Sequence, residues 1–519
     1  MSTQIVANKY TSGEVASKRS SPWWQTLLFV VVTLALFGLA LWMRLHNLGL
    51  PFDRDSYDEG VYWQSLRSMS AGYTLYGQIF YSQPPFFLLS VYPTYLLFGQ
   101  TIWAARLGIA LVSLLGLLGA WMFGRAVAGR LGAIAALLLL VLDPLYLRQS
   151  QTLQAEAPSA ALSFLAVGAA YLWWNHPDGI IGDCYAALAG AALSLSVLGK
   201  LLGVTAIIPV GLLLLAHFWR VYRSNRRRTE TDTTRRMNIR SAIIGIVVCI
   251  LVTAAFILPY AGSFSQFWHG VVTFHTTAGK FFASEQKGNS LIIQTSLTSF
   301  LTLAALYGTI AGLLRRNLLV VPILGWFVVT LYLLAVQVPL FPHHLVALTP
   351  PLVSLATFGI APVYWQKRPF VLLSNILTVG AAVLVLLTGV VNVGLDQKYY
   401  HTEYAQSQDA STQKDIKVAQ DIHNLIGPND LIITDAQFVA ALAGRSTPPQ
   451  FVDTSGVRIA VRYLSTQELI AAASQPQVRA VMFYTHRLDT KNLAGFRQWV
   501  ITHFRIAHRY GPGEELFVK

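Results

Sequence analysis

Charged residues and cysteines are scarce in this chain. Of its 519 residues only 12% are charged while 54% are hydrophobic, and the mean hydropathy is +0.50. These values are typical of a membrane protein and not of a soluble protein of this length. The two cysteines, Cys184 and Cys249, lie in or beside apolar runs, which argues against a disulfide framework and against a thiolate metal site.

The few charges that remain are mostly positive, with a formal net charge of +14. Most of the basic residues stand in short segments between apolar runs, where lysine and arginine act as topology signals. We therefore expect the basic residues to interact with membrane lipids and not with nucleic acid.

Long apolar runs predict about eleven transmembrane helices. The first run, 23–43, is longer than the apolar stretch of a cleaved signal peptide and is expected to be retained. The run 185–217 is broken at Gly199-Lys200 and Gly203, which predicts two short helices. The remaining predicted spans are 102–126, 130–148, 157–174, 241–261, 294–314, 318–338, 345–364 and 369–393.

The distribution of lysine and arginine predicts a multi-pass protein of the plasma (inner) membrane. The basic loop 220–240 and the N-terminus would be cytoplasmic, and the loops 45–101, 149–156, 262–293 and 339–344 would lie outside. No internal repeat is evident, which disfavours a transporter built from duplicated halves.

Three regions are predicted along the chain: a cytoplasmic disordered leader at 1–22, a transmembrane domain at 23–394 and an extracytoplasmic domain at 395–519. In the last region, helix-like patterns such as 415–426 alternate with strand-like ones such as 431–434 and 478–484. The sequence therefore predicts a mostly α membrane protein with a small C-terminal α/β domain.

The densest acidic cluster follows the first membrane helix and reads Asp53-Arg54-Asp55-Ser56-Tyr57-Asp58-Glu59. Neighbouring carboxylates raise one another's pKa, so that one of them is suited to act as a general base. A solvated acidic loop is the alternative explanation.

The residues that follow this cluster carry a resemblance. Asp58-Glu59, the aromatic stretch Gly72 to Tyr76, Pro84-Pro85 and Arg106 stand in the order and spacing that resemble the polyprenyl-phosphate-sugar-dependent glycosyltransferases of the C-type fold, the group of protein O-mannosyltransferases and lipid A aminoarabinose transferases. The resemblance continues through Asp143-Pro144, Leu198-Gly199-Lys200 and Pro342-His343-His344 to the C-terminal region.

This resemblance implies an inverting transfer of a sugar from a polyprenyl-phosphate donor to a lipid, glycan or protein acceptor on the outer face. It implies Asp58 and Glu59 as catalytic residues, with Asp58 as the base. Gln83 replaces the lysine that the aminoarabinose branch carries before Pro-Pro, which shifts donor-phosphate binding to other residues. The implied substrate- and donor-binding residues are Asp55, Gln83, Arg106, Glu156, Lys200, His343 and His344.

Alternatives remain for several of these residues and for the protein. Lys200 is either a phosphate ligand or a structural partner of Glu156, Arg106 is either a ligand or an interfacial helix start, and the histidines are ligands or polar caps. No metal-ligand spacing is present, so we expect no metal and no cofactor beyond the lipid donor, although Asp55, Asp58 and Glu156 offer oxygen ligands for a divalent cation. A lipid or small-solute transporter is the rival function, and a binding module on an inactive membrane anchor is a third interpretation.

Overall fold

The computed structural model describes residues 22–55, 57–226, 238–361 and 368–519. The predicted leader, apart from Pro22, and the central part of the basic loop 220–240 lie outside these residues.

Helices make up the body of the protein. They are, in chain order, α1 (Trp23–Leu45), α2 (Asp58–Ser70), α3 (Phe86–Leu97), α4 (Ile102–Val141), α5 (Pro144–Ser150), α6 (Glu156–Asn175), α7 (Gly179–Gly199), α8 (Ile207–Arg226), α9 (Arg240–Ile257), α10 (Phe264–Trp268), α11 (Phe274–Phe281), α12 (Asn289–Leu297), α13 (Phe300–Leu314), α14 (Val320–Val336), α15 (Thr349–Thr357) and α16 (Arg368–Gln408). A helical turn at Pro342–Leu348 leads directly into α15.

Within the described residues, eight helical segments are long and apolar enough to cross a membrane, or nine if the pair bent by 79° between α12 and α13 forms one span. With the bent pair counted as one span, the shorter apolar helix α14 and the division of α4 into two helices raise this count from nine to the eleven spans that the sequence predicts. The many-helix membrane body is thus confirmed.

The long helix α4 consists of two helices joined at a kink. Ala128 and Gly129 have non-helical backbone angles, and Gly129 has a φ of +67°, which glycine adopts without strain. The kink falls between the predicted spans 102–126 and 130–148. The second span ends earlier than predicted, at Val141, because the Asp143 side chain caps the next helix and Pro144 begins it.

Helix α6 lies at the centre of the bundle, and all its side chains from Glu156 to Trp173 are buried. The predicted interruption of the run 185–217 is confirmed, since α7 ends at Gly199 and Lys200 has an extended backbone. A helical turn at Leu201–Ala206 then precedes α8. The amino end of α6 and the break at Lys200 therefore come to the same level of the bundle, where their side chains meet.

The last membrane helix, α16, continues beyond Gly394 to Gln408 and leads into an α/β domain. The elements of this domain are α17 (Ala410–Leu425), β1 (Leu431–Thr434), α18 (Gln437–Leu442), α19 (Gly456–Ala460), α20 (Thr466–Ala473), β2 (Val478–Phe483), α21 (Phe496–His503), β3 (Arg505–Gly511) and β4 (Glu514–Val518).

The four strands form one sheet in the order β1-β2-β4-β3, in which β1 and β2 are parallel and the other pairs antiparallel. Successive side chains of β1 point to opposite faces: Ile433 packs with Leu469 and Phe496, and Ile432 packs with Val418 and Ile422. Helices cover both faces of the sheet, which confirms the predicted small α/β fold.

Candidate active site

The loop between α1 and α2 is held by a buried ion pair between Glu59 and Arg106. The guanidinium of Arg106 donates to both carboxylate oxygens of Glu59 at 2.9 and 2.6 Å, and neither side chain is exposed to solvent. Burial opposes ionisation of Glu59, but the adjacent Arg106 outweighs it and lowers the pKa of Glu59 below its usual value.

The remaining hydrogen bonds of Arg106 go to the loop itself, to the carbonyls of Leu48, Leu50 and Phe52 at 2.7 to 3.0 Å. Glu59 in turn accepts from the backbone N–H of Leu153 at 2.7 Å. Each nitrogen of the guanidinium therefore has a hydrogen-bond partner. These bonds connect Arg106 to the residues on both sides of the loop and stabilise its conformation.

Asp58, the next residue back along the chain, has different surroundings. It begins α2, its side chain is partly buried, and no hydrogen bond joins its carboxylate to any residue that the structure describes. Burial raises the pKa of Asp58 to about 7, since the pull of His343 in the opposite direction is smaller and Asp55, Glu156 and Asp453 add to the rise. A carboxylate with such a pKa is suited to accept a proton near neutral pH.

A line of polar side chains begins beside Asp58. The Nδ1 atom of His343 lies 3.0 and 3.1 Å from the two carboxylate oxygens of Asp55, and its Nε2 atom lies 3.5 Å from Oε1 of Glu156. The same oxygen of Glu156 contacts the ammonium of Lys200. The structure thus brings together five residues from four separate segments of the sequence: Asp55, Asp58, Glu156, Lys200 and His343.

His344 extends this line on the other side of Glu156, with its Nε2 atom 3.6 Å from Glu156 Oε1. The backbone N–H of Phe341 donates to its Nδ1 at 3.2 Å. Since Nδ1 accepts this bond, the proton of a neutral His344 resides on Nε2 and points towards Glu156.

Gln83 is also buried, but the structure gives its side chain no partner among the described residues, and its carbonyl accepts from the Tyr76 hydroxyl at 2.8 Å. Gln154, a residue that sequence reasoning missed, contacts Asp55 through its side-chain amide and is fully buried. The sequence signal that could have pointed to Gln154 is the group of three closely spaced glutamines at 149, 151 and 154 in a mostly apolar chain. Asp453 of the C-terminal domain was missed as well, because its approach to the site depends on the fold.

Among the residues that the structure describes, two groups of side chains are close enough to hold a metal ion: Asp55 with Asp58 and His343, and Glu156 with His343 and His344. Both groups share His343. In the second group a metal ion would compete with Lys200, whose ammonium already contacts the carboxylate of Glu156.

Two comparisons bear on this arrangement. Residues 82–228 match the family model described as dolichyl-phosphate-mannose-protein mannosyltransferase. The whole chain superposes on the crystal structure of ArnT from Cupriavidus metallidurans bound to undecaprenyl phosphate with a TM-score of 0.61 and 14% identity, covering 96% of this chain and 98% of that one. The chain has the C-type glycosyltransferase fold.

A second C-type structure, the apo form of the Archaeoglobus fulgidus oligosaccharyltransferase, gives a TM-score of 0.50 at 13% identity and covers 92% of this chain and 72% of that one. None of the curated proteins matches the sequence. The C-type fold and the resemblance to polyprenyl-phosphate-sugar-dependent enzymes are confirmed. Family match and fold together support a membrane glycosyltransferase.

Proposed function

We propose that this C-type protein transfers a sugar from a polyprenyl-phosphate donor to an acceptor on the outer face of the plasma (inner) membrane, with inversion at the anomeric carbon. The observation that carries the proposal is the placement of Asp58 beside the line of Asp55, His343, Glu156 and Lys200, with a raised pKa and no hydrogen bond from its carboxylate to any described residue. The undecaprenyl phosphate of the ArnT structure supports a donor of this chemical class.

In the proposed reaction, Asp58 removes the proton from a hydroxyl or amine of the acceptor. The acceptor atom forms a bond to the anomeric carbon while the bond from that carbon to the phosphate oxygen breaks, and the polyprenyl phosphate leaves as an anion. Transfer is fast when base, acceptor and donor are held in line and the departing charge is stabilised.

Lys200 is the proposed ligand of the phosphate. It lies at the break between α7 and α8, its side chain is 12% exposed, and it contacts Glu156, whose carboxylate also faces His343 and His344. A buried cation in a membrane body usually faces a cavity, where it binds an anion. Arg106 and Glu59 contribute by holding the loop that carries Asp58, and no metal ion is required in this scheme.

The structure favours this function over transport because the polar groups converge at one end of the bundle. The predicted outer segments meet there: Arg54 donates to the Gln151 carbonyl at 2.8 Å, and His275 contacts the Ser82 carbonyl at 2.7 Å. A transporter instead places its binding site near the membrane midplane between repeats.

The test is reconstitution of the purified chain in vesicles with polyprenyl-phosphate sugars of several kinds. We expect one donor to be consumed in the presence of an outer-membrane or envelope extract that contains the acceptor. In cells lacking the protein, mass spectrometry should show that same donor accumulating. Movement of an intact solute across the vesicle without loss of any donor would instead support the transporter.

A further inference from the structure

One face of α2 is covered by the C-terminal domain. Gly60, Gln64 and Arg67 follow one another at spacings of four and three residues, which places them on a single face of the helix, and Tyr57 immediately precedes its first residue. All four contact residues 437–454, which we call the docking segment. Asp58 lies next to this face, at the first turn of the same helix.

The contact between the two parts is close. A Cβ atom on Gly60 would lie 2.4 Å from the backbone nitrogen of Phe438, so that only glycine allows α2 and α18 to approach this far. Trp63 packs edge-on against the ring of Phe438, with 5.3 Å between the ring centroids. Backbone fits against backbone here, which makes the interface rigid.

Gln64 is the polar centre of the interface and is fully buried. Its Nε2 donates to the carbonyls of Gln437 and Arg445 at 3.3 and 3.0 Å, and its Oε1 accepts from the backbone N–H of Thr447 at 3.2 Å. One side chain therefore forms hydrogen bonds with three backbone groups of the docking segment, and its loss would weaken the contact between the two parts.

At the other end of the face, the Tyr57 hydroxyl accepts from the backbone N–H of Thr454 at 2.7 Å and lies 3.1 Å from its side-chain oxygen. The guanidinium of Arg487 stands over the ring of Tyr57, 4.2 Å from its centroid. Tyr57 immediately precedes Asp58, so its position restricts the backbone from which the Asp58 side chain projects.

We propose that Gln64 and Tyr57 are positioning residues through which the C-terminal domain holds Asp58 in place for transfer. This inference rests on the proposed function. It makes the C-terminal domain a part of the catalytic machinery, and not a separate binding module on the membrane body.

The test compares the full-length Gln64→Met variant with the wild type. Methionine has nearly the same length and flexibility but can form none of the three hydrogen bonds. The matched control is Gln477→Met, at an exposed position of the same domain. Hydrogen exchange of the peptide 57–66 is measured by mass spectrometry together with kcat and the Kd of a polyprenyl-phosphate sugar.

We expect faster exchange of 57–66 and a kcat lowered by about 10- to 100-fold, because small misplacements of a reacting group have effects of this size. The Kd for the donor should stay within about twofold, since the residues proposed to bind it lie on other helices. Tyr57→Phe, which removes only the hydroxyl, should show the same pattern to a smaller degree. Gln477→Met should leave all three quantities unchanged.

Unchanged exchange of 57–66 in Gln64→Met would overturn the proposal, and so would faster exchange with unchanged kcat. An equal fall in kcat and in donor binding would show a general loss of structure and would also overturn it. If the wild-type chain consumes no polyprenyl-phosphate sugar, the proposed function fails and this inference fails with it, whereas normal wild-type transfer confines a negative result to the positioning role.

Discussion

The substitution Asp58→Asn separates a catalytic carboxylate from a structural one. Asparagine keeps the size of the side chain and most of its hydrogen-bonding capacity but cannot accept the proton. Loss of a general base predicts a fall in transfer rate of about 10² to 10⁴. Binding of the donor should survive because the proposed phosphate ligand is Lys200.

The thermal stability of the Asp58→Asn variant should rise, although its transfer rate falls. Asp58 ionises in the folded protein with a pKa of about 7, above its value of about 4 in an unfolded chain. For a group whose folded pKa is raised, the ionised form destabilises the folded state, and the cost grows as pH rises between the two pKa values. It reaches about 4 kcal/mol at pH 8 and about 1 to 2 kcal/mol at pH 5. Asp58→Asn removes this cost, so its Tm should exceed that of the wild type, more at pH 8 than at pH 5.

The assay is single-turnover transfer from a purified polyprenyl-phosphate sugar, with donor binding and thermal unfolding measured on the same preparations. The exposed Asp178→Asn is the matched control, which should change neither rate nor Tm. The wild-type rate should also fall as the pH drops below about 7, because Asp58 is then protonated. A rate for Asp58→Asn near that of the wild type would refute the assignment of the base, and a lower Tm at pH 8 would refute the account of its burial.

Four further predictions concern the site residues, the metal requirement and the membrane topology. Lys200→Met should weaken donor binding while the protein still accumulates in the membrane, and failure to accumulate would favour the structural role beside Glu156. Glu59→Gln should destabilise the protein by about 3 to 5 kcal/mol because it leaves the buried Arg106 without its counter-charge, and unchanged thermal unfolding would contradict this. Treatment with a chelator should leave the transfer rate unchanged, and its loss with recovery on adding a divalent cation would contradict the metal-free scheme. Cysteines introduced near positions 230 and 450 should be labelled from opposite sides of the membrane, and labelling from one side would refute the predicted topology.

The sequence predicts the membrane body well because lipid constrains it strongly. Apolar runs of sufficient length must be helical, and the Gly199-Lys200 interruption marks a real break, since α7 ends at Gly199 and Lys200 has an extended backbone. The change to polar residues after Gly394 was less informative. We expect the chain to leave the lipid near this point, but helix α16 continues to Gln408 because polar residues also sustain a helix.

The pairing of the site residues could not be predicted in the same way. Glu59 and Arg106 are 47 positions apart, and Tyr57 and Thr454 are 397 positions apart. Local periodicity carries no information about such contacts. A resemblance to a family suggests candidate residues. It does not show that the guanidinium of Arg106 forms an ion pair with Glu59, or that the C-terminal domain contacts α2.

The buried pair of Glu59 and Arg106 also bears on how the chain is made. When α1 and the first loop have emerged from the ribosome, Glu59 has Arg54 nearby but lacks its ion pair, because Arg106 belongs to the next membrane helix and the Leu153 N–H follows later still. An uncompensated carboxylate cannot be buried at low cost. We therefore expect the loop that carries the proposed base to close only after α4 has been synthesised and Arg106 can pair with Glu59.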